Sequence, residues 1–165
     1  MSTLYVDSLQ PNLGSRVMAA GHVVQVVEDS IDTVINGSST FSTLKSLSIT
    51  PTSASSKIVI MYSNHIYQDQ SGYVGWRGAL IRLKRGSTLI YGDTDASSMY
   101  GEAMFMATSA DRTMQYSHHH YVDYPATTAS VTYTLELASK DSNSSIQVNM
   151  GYGGKGRIML MEIAQ

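Results

Sequence analysis

The sequence predicts an all-β protein, an antiparallel sandwich or barrel of short strands. Short runs rich in β-branched and aromatic residues recur along the chain, cut by Ser/Thr/Gly/Asn clusters. No window sustains an apolar stripe with a 3.6-residue period, so no helix is expected. The last ten residues, GRIMLMEIAQ from Gly156 to Gln165, are a nearly unbroken apolar run of the kind that is tied into a sheet.

Residues 1–20 stand apart. Leu4 to Leu9 is a short strand-like piece leading to Pro11, Asn12 and Gly14, which signal a turn. It is too short to pack alone, and reads either as an arm that docks elsewhere or as an edge strand of the domain. The domain proper begins at Ala20-Gly21. HVVQVVE (22–28) is a strand rich in β-branched residues. In FSTLKSLSIT (41–50), Phe41, Thr43, Lys45 and Leu47 alternate with Ser42, Leu44, Ser46 and Ser48, and Pro51 closes the run.

SKIVIMYSNHIY (56–67) is the strongest strand. Ile58, Ile60 and Tyr62 share one face and Val59 and Met61 the other, so both faces are apolar, as in a covered strand. WRGALIRLKRG (76–86) turns Ala79, Ile81 and Leu83 inward and Leu80, Arg82 and Lys84 outward. Gly86-Ser87 then turns the chain into TLIYGD, a hairpin signature.

From Thr94 to Tyr116 the pattern weakens, and one or two strands with a long loop are expected. YSHHHYVDYP (116–125) is a strand stopped by Pro125. In SVTYTLELAS (130–139), Val131, Tyr133, Leu135 and Leu137 alternate with Thr132, Thr134, Glu136 and Ala138. Ile146, Val148 and Met150 alternate with Gln147 and Asn149 before a Gly-rich turn and the terminal strand. Roughly eight to ten strands at this spacing suit a sandwich or barrel.

The totals narrow the function. A length of 165 residues suits one domain with a sizeable core. Only 15% of residues are charged, and Ser, Thr, Gly and Tyr stand where Lys and Glu usually do. Such surfaces suit proteins that face other subunits or sugars. The net charge of −2 offers no basic field for nucleic acid or anionic membrane. Cysteine is absent, which removes disulfides, thiolate zinc sites and cysteine nucleophiles, and fits synthesis in a reducing cytosol. The N-terminus lacks the basic and apolar regions of a secretory signal, and no run is long enough for a membrane span.

Three groups of residues could carry chemistry. On a strand His118 and His120 share a face, with His119 on the other, and that spacing can place two imidazoles on one metal. In a trimer, three copies could gather an ion around the axis. The competing reading is a polar stretch of strand beside Tyr116 and Tyr121. Tyr67, Tyr73 and Trp76 flank a loop carrying Asp69 and Gln70, a composition that suits sugars stacked on aromatic faces. For any one Tyr, half-buried packing on a sheet is the better explanation; for the cluster near 67–76 the two readings stand even. Asp93, Asp95 and Asp123 could be imagined as acid and base, but no spacing singles them out. No nucleophile elbow is present, and GYGGKG lacks the following Ser/Thr and helix of a phosphate loop. An enzyme is not expected, and no cofactor is implied.

The blocks MSTLYVDSLQ, AAGHVVQVVE, SITPTSASSKIVI, RLKRGSTLIYGD, SVTYTLELAS and GRIMLMEIAQ, taken in that order, resemble the tail-fibre and virion-fibre proteins of bacteriophages, especially those of marine and cyanobacterial hosts. The resemblance spans nearly the whole chain. Its weight lies in the order of the blocks and the terminal LMEIA, since each block alone reads as an ordinary strand or turn. It implies an antiparallel, jelly-roll-like β-sandwich head (21–165) preceded by an extended N-terminal anchoring arm (1–20), with Leu4, Tyr5, Val6 and Leu9 as the anchoring residues.

It further implies a homotrimer made in the host cytoplasm and built into the virion. The expected partners are other phage virion proteins of the tail, adaptor or capsid, and a host cell-surface glycan. No collagen-like, coiled-coil or β-helical shaft separates arm from head. A short fibre, a knob, a tail adaptor or a capsid decoration is therefore favoured over a long probing fibre. The alternative from another class is a stand-alone, lectin-like sandwich that binds carbohydrate with no virion role.

Overall fold

The computed structural model describes residues 19–32, 35–36, 40–69, 75–76, 79–94, 106–107, 113–139, 145–148 and 155–165. For 35–36, 68–69, 75–76, 106–107, 113–115, 139 and 145–148 it describes the backbone alone. The candidate arm residues Leu4, Tyr5, Val6 and Leu9 lie outside the described residues, as do Gln70, Tyr73 and Asp95.

The described strands are β1 (Val23–Ile31), β2 (Ile35–Asn36), β3 (Ser42–Ile49), β4 (Lys57–Asp69), β5 (Gly75–Trp76), β6 (Ala79–Arg85), β7 (Thr88–Tyr91), β8 (Met106–Ala107), β9 (Thr113–Asp123), β10 (Val131–Ser139), β11 (Ser145–Val148) and β12 (Gly156–Ile163). Two antiparallel sheets hold ten of them, and β5 and β8 form a separate pair. The first sheet contains two interrupted lines. β12 pairs with β4 from Lys57 to Ser63, and β11 continues along the same edge of β4 from Ile66 to Asp69. Likewise β1 borders β12 and β2 borders β11. The sheet is thus four lines wide, β1/β2, β12/β11, β4 and β9, with β9 on the other edge of β4. The second sheet runs β3-β10-β6-β7.

Counting each interrupted line once, the first line pairs with the last, the second with the seventh, the third with the sixth, and the fourth with the fifth. This is the winding of a jelly roll. The expected antiparallel sandwich is therefore present, with this winding.

The core lies between the sheets, where alternate residues of each strand meet. Ile58, Ile60 and Tyr62 of β4, Ile158 and Leu160 of β12, and Val131, Tyr133, Leu135 and Leu137 of β10 are buried together with Ile81 and Leu83 of β6. Each large side chain buried here is worth about 1.5–3 kcal/mol of transfer free energy. On β3, both Leu44 and Ile49 are buried although five residues apart. A register shift between Leu135 and Glu136, where the partner skips from Lys45 to Thr43, lets both point inward. Two expectations needed revision. Trp76 belongs to β5 rather than to the β6 strand, which begins at Ala79. Leu80 keeps the outward phase of Arg82 and Lys84 but is buried there, beside its equally buried cross-strand partner Ala138.

The hairpin β6–β7 turns at Gly86 and Ser87 as expected, with Gly86 at φ +56° and its N–H donating to the Thr132 carbonyl at 2.9 Å. At its far end Gly92 holds φ +98°, and a Cβ there would lie 2.7 Å from the Cβ of Arg82 and 2.9 Å from its Cα. The left-handed backbone and the backbone contact act together. Gly92→Ala is expected to cost about 2 kcal/mol, read as a shift in the urea midpoint at constant m-value.

The two ends of the sandwich differ. At one end lie the turns β3–β4, β6–β7 and β9–β10, and here the chain enters and leaves. The Gly21 N–H donates to the Ala164 carbonyl at 2.8 Å, and the Ala164 N–H donates to the His22 carbonyl at 2.9 Å. The opposite end is marked by the C-terminal end of β4, the pairing of β11 with β2, and the strand ends that border the connections carrying β5 and β8. β4 spans the distance between the two, roughly 40 Å for its 13 residues.

Candidate functional site

Three regions bear on function, beginning with the end distant from Gly21. Tyr67 and Asp69 stand two residues apart at the C-terminal end of β4. Tyr67 lies opposite Gln147 on one side and Met114 on the other, and Asp69 lies opposite Ser145. Trp76 sits in β5, paired with Met106 of β8. The backbone therefore carries Tyr67 and Asp69 together at this end and puts Trp76 on the connection between β4 and β6. Asp93 also borders this end, just past β7.

The second region is the outer face of the first sheet. Register fixes its rows. Val26, Met161, Val59 and Val122 form one row across all four strands; Glu28, Met159, Met61 and His120 form the next; Ser30, Arg157, Ser63 and His118 form the third. Val26 is 48% exposed, Met61 45% and Val122 39%. Val59, Met159 and Met161 between them are half-buried. A depression of about 200 Å³ opens where the short side chain of Ser63 lies among Met61, Met159, His118 and the Glu28–Arg157 ion pair.

The second sheet's outer face is of another kind. Ser46 and Thr134 share a hydrogen bond of 2.9 Å, Ser48 and Thr132 one of 2.8 Å, and Glu136 receives Arg82 at 2.5 Å and Lys84 at 3.4 Å. Hydroxyls and ion pairs suit water; a row of Val and Met does not.

The histidines divide as the strand period requires. His118 and His120 are exposed on the outer face. His119 turns inward and stacks on Tyr62 with ring centroids 5.4 Å apart. Burial, with a smaller contribution from the neighbouring His118 and His120, holds the His119 imidazole below its ordinary pKa. Among the described residues of one chain, no group of three or more His, Cys, Asp or Glu is arranged to hold a metal.

The third region is the interior at the Gly21 end, where two carboxylates occupy one row, Gln25–Glu162–Ile58–Asp123. Asp123, 8% exposed, accepts two bonds from Arg85 Nη1 at 2.9 and 3.0 Å and one from the Tyr133 hydroxyl at 2.7 Å. Asp123 belongs to the first sheet and its two partners to the second, so the cluster pins the sheets together. Burial, then the bond to Asp123, raises the Tyr133 phenol well above its ordinary value.

Glu162 is completely buried. Its Oε2 accepts from Gln25 Nε2 at 2.6 Å, and its Oε1 from the Thr52 N–H and hydroxyl, both at 2.8 Å. Burial pushes its pKa up, but bonds from Gln25, Ser56 and Thr52 outweigh that and leave it below the ordinary value. These carboxylates clamp the structure, so Asp123, imagined above as an acid or base, is held by an arginine and a buried phenol. The sequence signal for Glu162 was its position, the lone acid within the apolar run 158–164 of the closing strand, where an unpaired carboxylate would be costly.

No family model and no curated protein matches the chain. It is similar, over 98% of its length, to a chain in the structure of infectious bursal disease virus, Gx strain, with 12% identity and a TM-score of 0.42. For the Gt strain of the same virus the values are 98%, 14% and 0.35. This chain spans 45% and 43% of those two chains, less than half of either. With both TM-scores below 0.5, the likeness carries no function across. No helix among the described residues is long and apolar enough to cross a membrane.

Proposed function

We propose that this chain is a structural protein of a bacteriophage particle: a short fibre, knob or tail-fibre component. It attaches through its N-terminal residues and presents a trimeric β-sandwich to the host surface. The observation that carries the reading is the polarity of the head. The backbone that follows residues 1–18 enters beside Ala164 at one end, and Tyr67 and Asp69 lie roughly 40 Å away at the other. A head anchored at the first end offers the second to whatever the particle meets. The block-by-block resemblance to phage fibres supports the same assignment. So does the apolar outer face of the first sheet, which suits contact with further subunits.

In this reading the N-terminal segment adds main-chain hydrogen bonds to another virion protein, and the far end meets a surface glycan through Tyr67, Asp69, Gln70, Tyr73 and Trp76. The measurement that tests it is native mass by light scattering, for the full chain and for a chain lacking residues 1–20. A trimer in both is expected, because assembly is assigned to the head. A monomer in both that binds glycans on an array would replace this reading with the solitary lectin.

A further inference from the structure

The outer face of the first sheet has a directional charge pattern as well as an apolar centre. In the row Glu28–Met159–Met61–His120, the acid sits on the β1 edge, the imidazole on the β9 edge, and two methionines lie between. In the adjacent row four apolar residues run from edge to edge, Val26 to Val122. A rotation about an axis parallel to the strands leaves height along the strands unchanged. It brings the β1 edge of one copy beside the β9 edge of the next, whether two copies or three complete the ring. Residues of one row therefore meet residues of the same row.

We propose that copies of this chain assemble by such a rotation with the outer face of the first sheet turned inward, so that Glu28 of one copy meets His120 of the next. Met61 and Met159 lie nearest the axis, and their unbranched side chains adapt to a crowded centre. Arg157 already pairs with Glu28 at 3.7 Å, and both side chains are more than half exposed, so they border the contact. His118, one row on, extends the imidazole edge. Over the eight or so residues where β1, β12, β4 and β9 run side by side, the face offers roughly 500 Å² (four strands about 4.8 Å apart), at the low end of specific interfaces, where a standard one takes ~800 Å² from each partner.

The depression beside Ser63 is smaller than the ~300 Å³ at which small-molecule sites begin, and fits one side chain of a neighbour. Under this symmetry every copy presents its Gly21 end in the same direction, as common anchoring requires. The inference rests on the reading of the head as an oligomer.

The test is sedimentation velocity over a concentration series of the full chain and five variants. Met61→Glu places a charge beside the axis, and Val122→Lys does so at the edge of the apolar row. Each is expected to raise the dissociation constant at least ~100-fold, with the far-UV circular dichroism of the folded protein unchanged. Ser48→Glu, on the polar face of the second sheet, is expected to leave assembly intact. Glu28→Lys is expected to weaken assembly and Glu28→Lys with His120→Glu to restore it, a recovery that a loss of local stability would not produce.

An oligomer unaffected by Met61→Glu and Val122→Lys would overturn the face while leaving the fibre reading standing. A monomeric wild type would overturn both. A monomer that gains binding of an apolar dye when residues 1–18 are removed would show that the chain's own N-terminal segment covers the face, and would likewise overturn the proposal.

Discussion

Asp123→Ala is expected to destabilise the domain by about 3 kcal/mol, a fall in Tm of roughly 6–12 °C for a chain of this size. The carboxylate lies at the end of β9 and holds the Arg85 guanidinium from β6 and the Tyr133 hydroxyl from β10. Removing it strands both. Tyr133 is completely buried, so its O–H loses its partner where water does not reach. Arg85 remains a third exposed and can rehydrate, which keeps the loss at the lower end of the range for a broken buried pair. Tyr133→Phe deletes one bond and should cost only about 1 kcal/mol. Urea titration of the two single variants and the Asp123→Ala, Tyr133→Phe double variant separates the terms. If the effects simply add, the cluster is no unit and its role as a clamp between the sheets is refuted.

Glu162→Gln should cost about 2–3 kcal/mol at neutral pH, because the new amide presents hydrogens where the Thr52 N–H, the Thr52 hydroxyl or the Gln25 amide already donate. The pH dependence is the sharper test. The folded carboxyl titrates below the ordinary value. Its contribution is therefore present in full above the unfolded value of about 4.3 and is lost as pH falls through the folded one. The gap between wild type and Glu162→Gln should be constant from pH 7 to about pH 5 and should narrow below that. Urea midpoints at pH 7, 5, 4 and 3 measure it. A gap that stays the same down to pH 3 would mean that the carboxylate is not the charged centre of the clamp.

Strand periodicity was legible because burial on one face writes an alternation into β4, β10 and β12. Val131, Tyr133, Leu135 and Leu137 point inward as their spacing requires, and His118 and His120 share a face. The bulge of β3 was not legible, since Leu44 and Ile49 fit no single alternation and a register shift leaves no local mark. The burial of Leu80 was not legible, because alternation sets it on the outer face and assumes that this face is wet. The β5–β8 pair joins residues thirty apart through two-residue strands, too short to show a period. Of the candidate site, the outer face could be anticipated from the apolar residues on both sides of β4 and the paired methionines of β12. Glu162 left a local mark, an acid within an apolar run, but the partners of both buried carboxylates were not legible, because they come from loops and strands far apart in the chain. The proposed contact residues could be named from composition, but only the winding shows Tyr67 and Asp69 standing opposite the chain's point of entry.

The antiparallel ladder between β1 and β12 has a mechanical consequence. Its hydrogen bonds run perpendicular to the strands from Val23–Ile163 to Ile31–Gly156. A load applied at Gly21 and resisted at the far end of the sandwich acts along the strands, so all of these bonds share it in shear. A load between Gly21 and Ala164 would instead peel them apart one after another, starting at the bond that joins those two residues. The head is therefore strong along its length and weak at its seam. A pulling experiment with handles on residue 21 and on the far end of β4 should need markedly higher force than one with handles on residues 21 and 164.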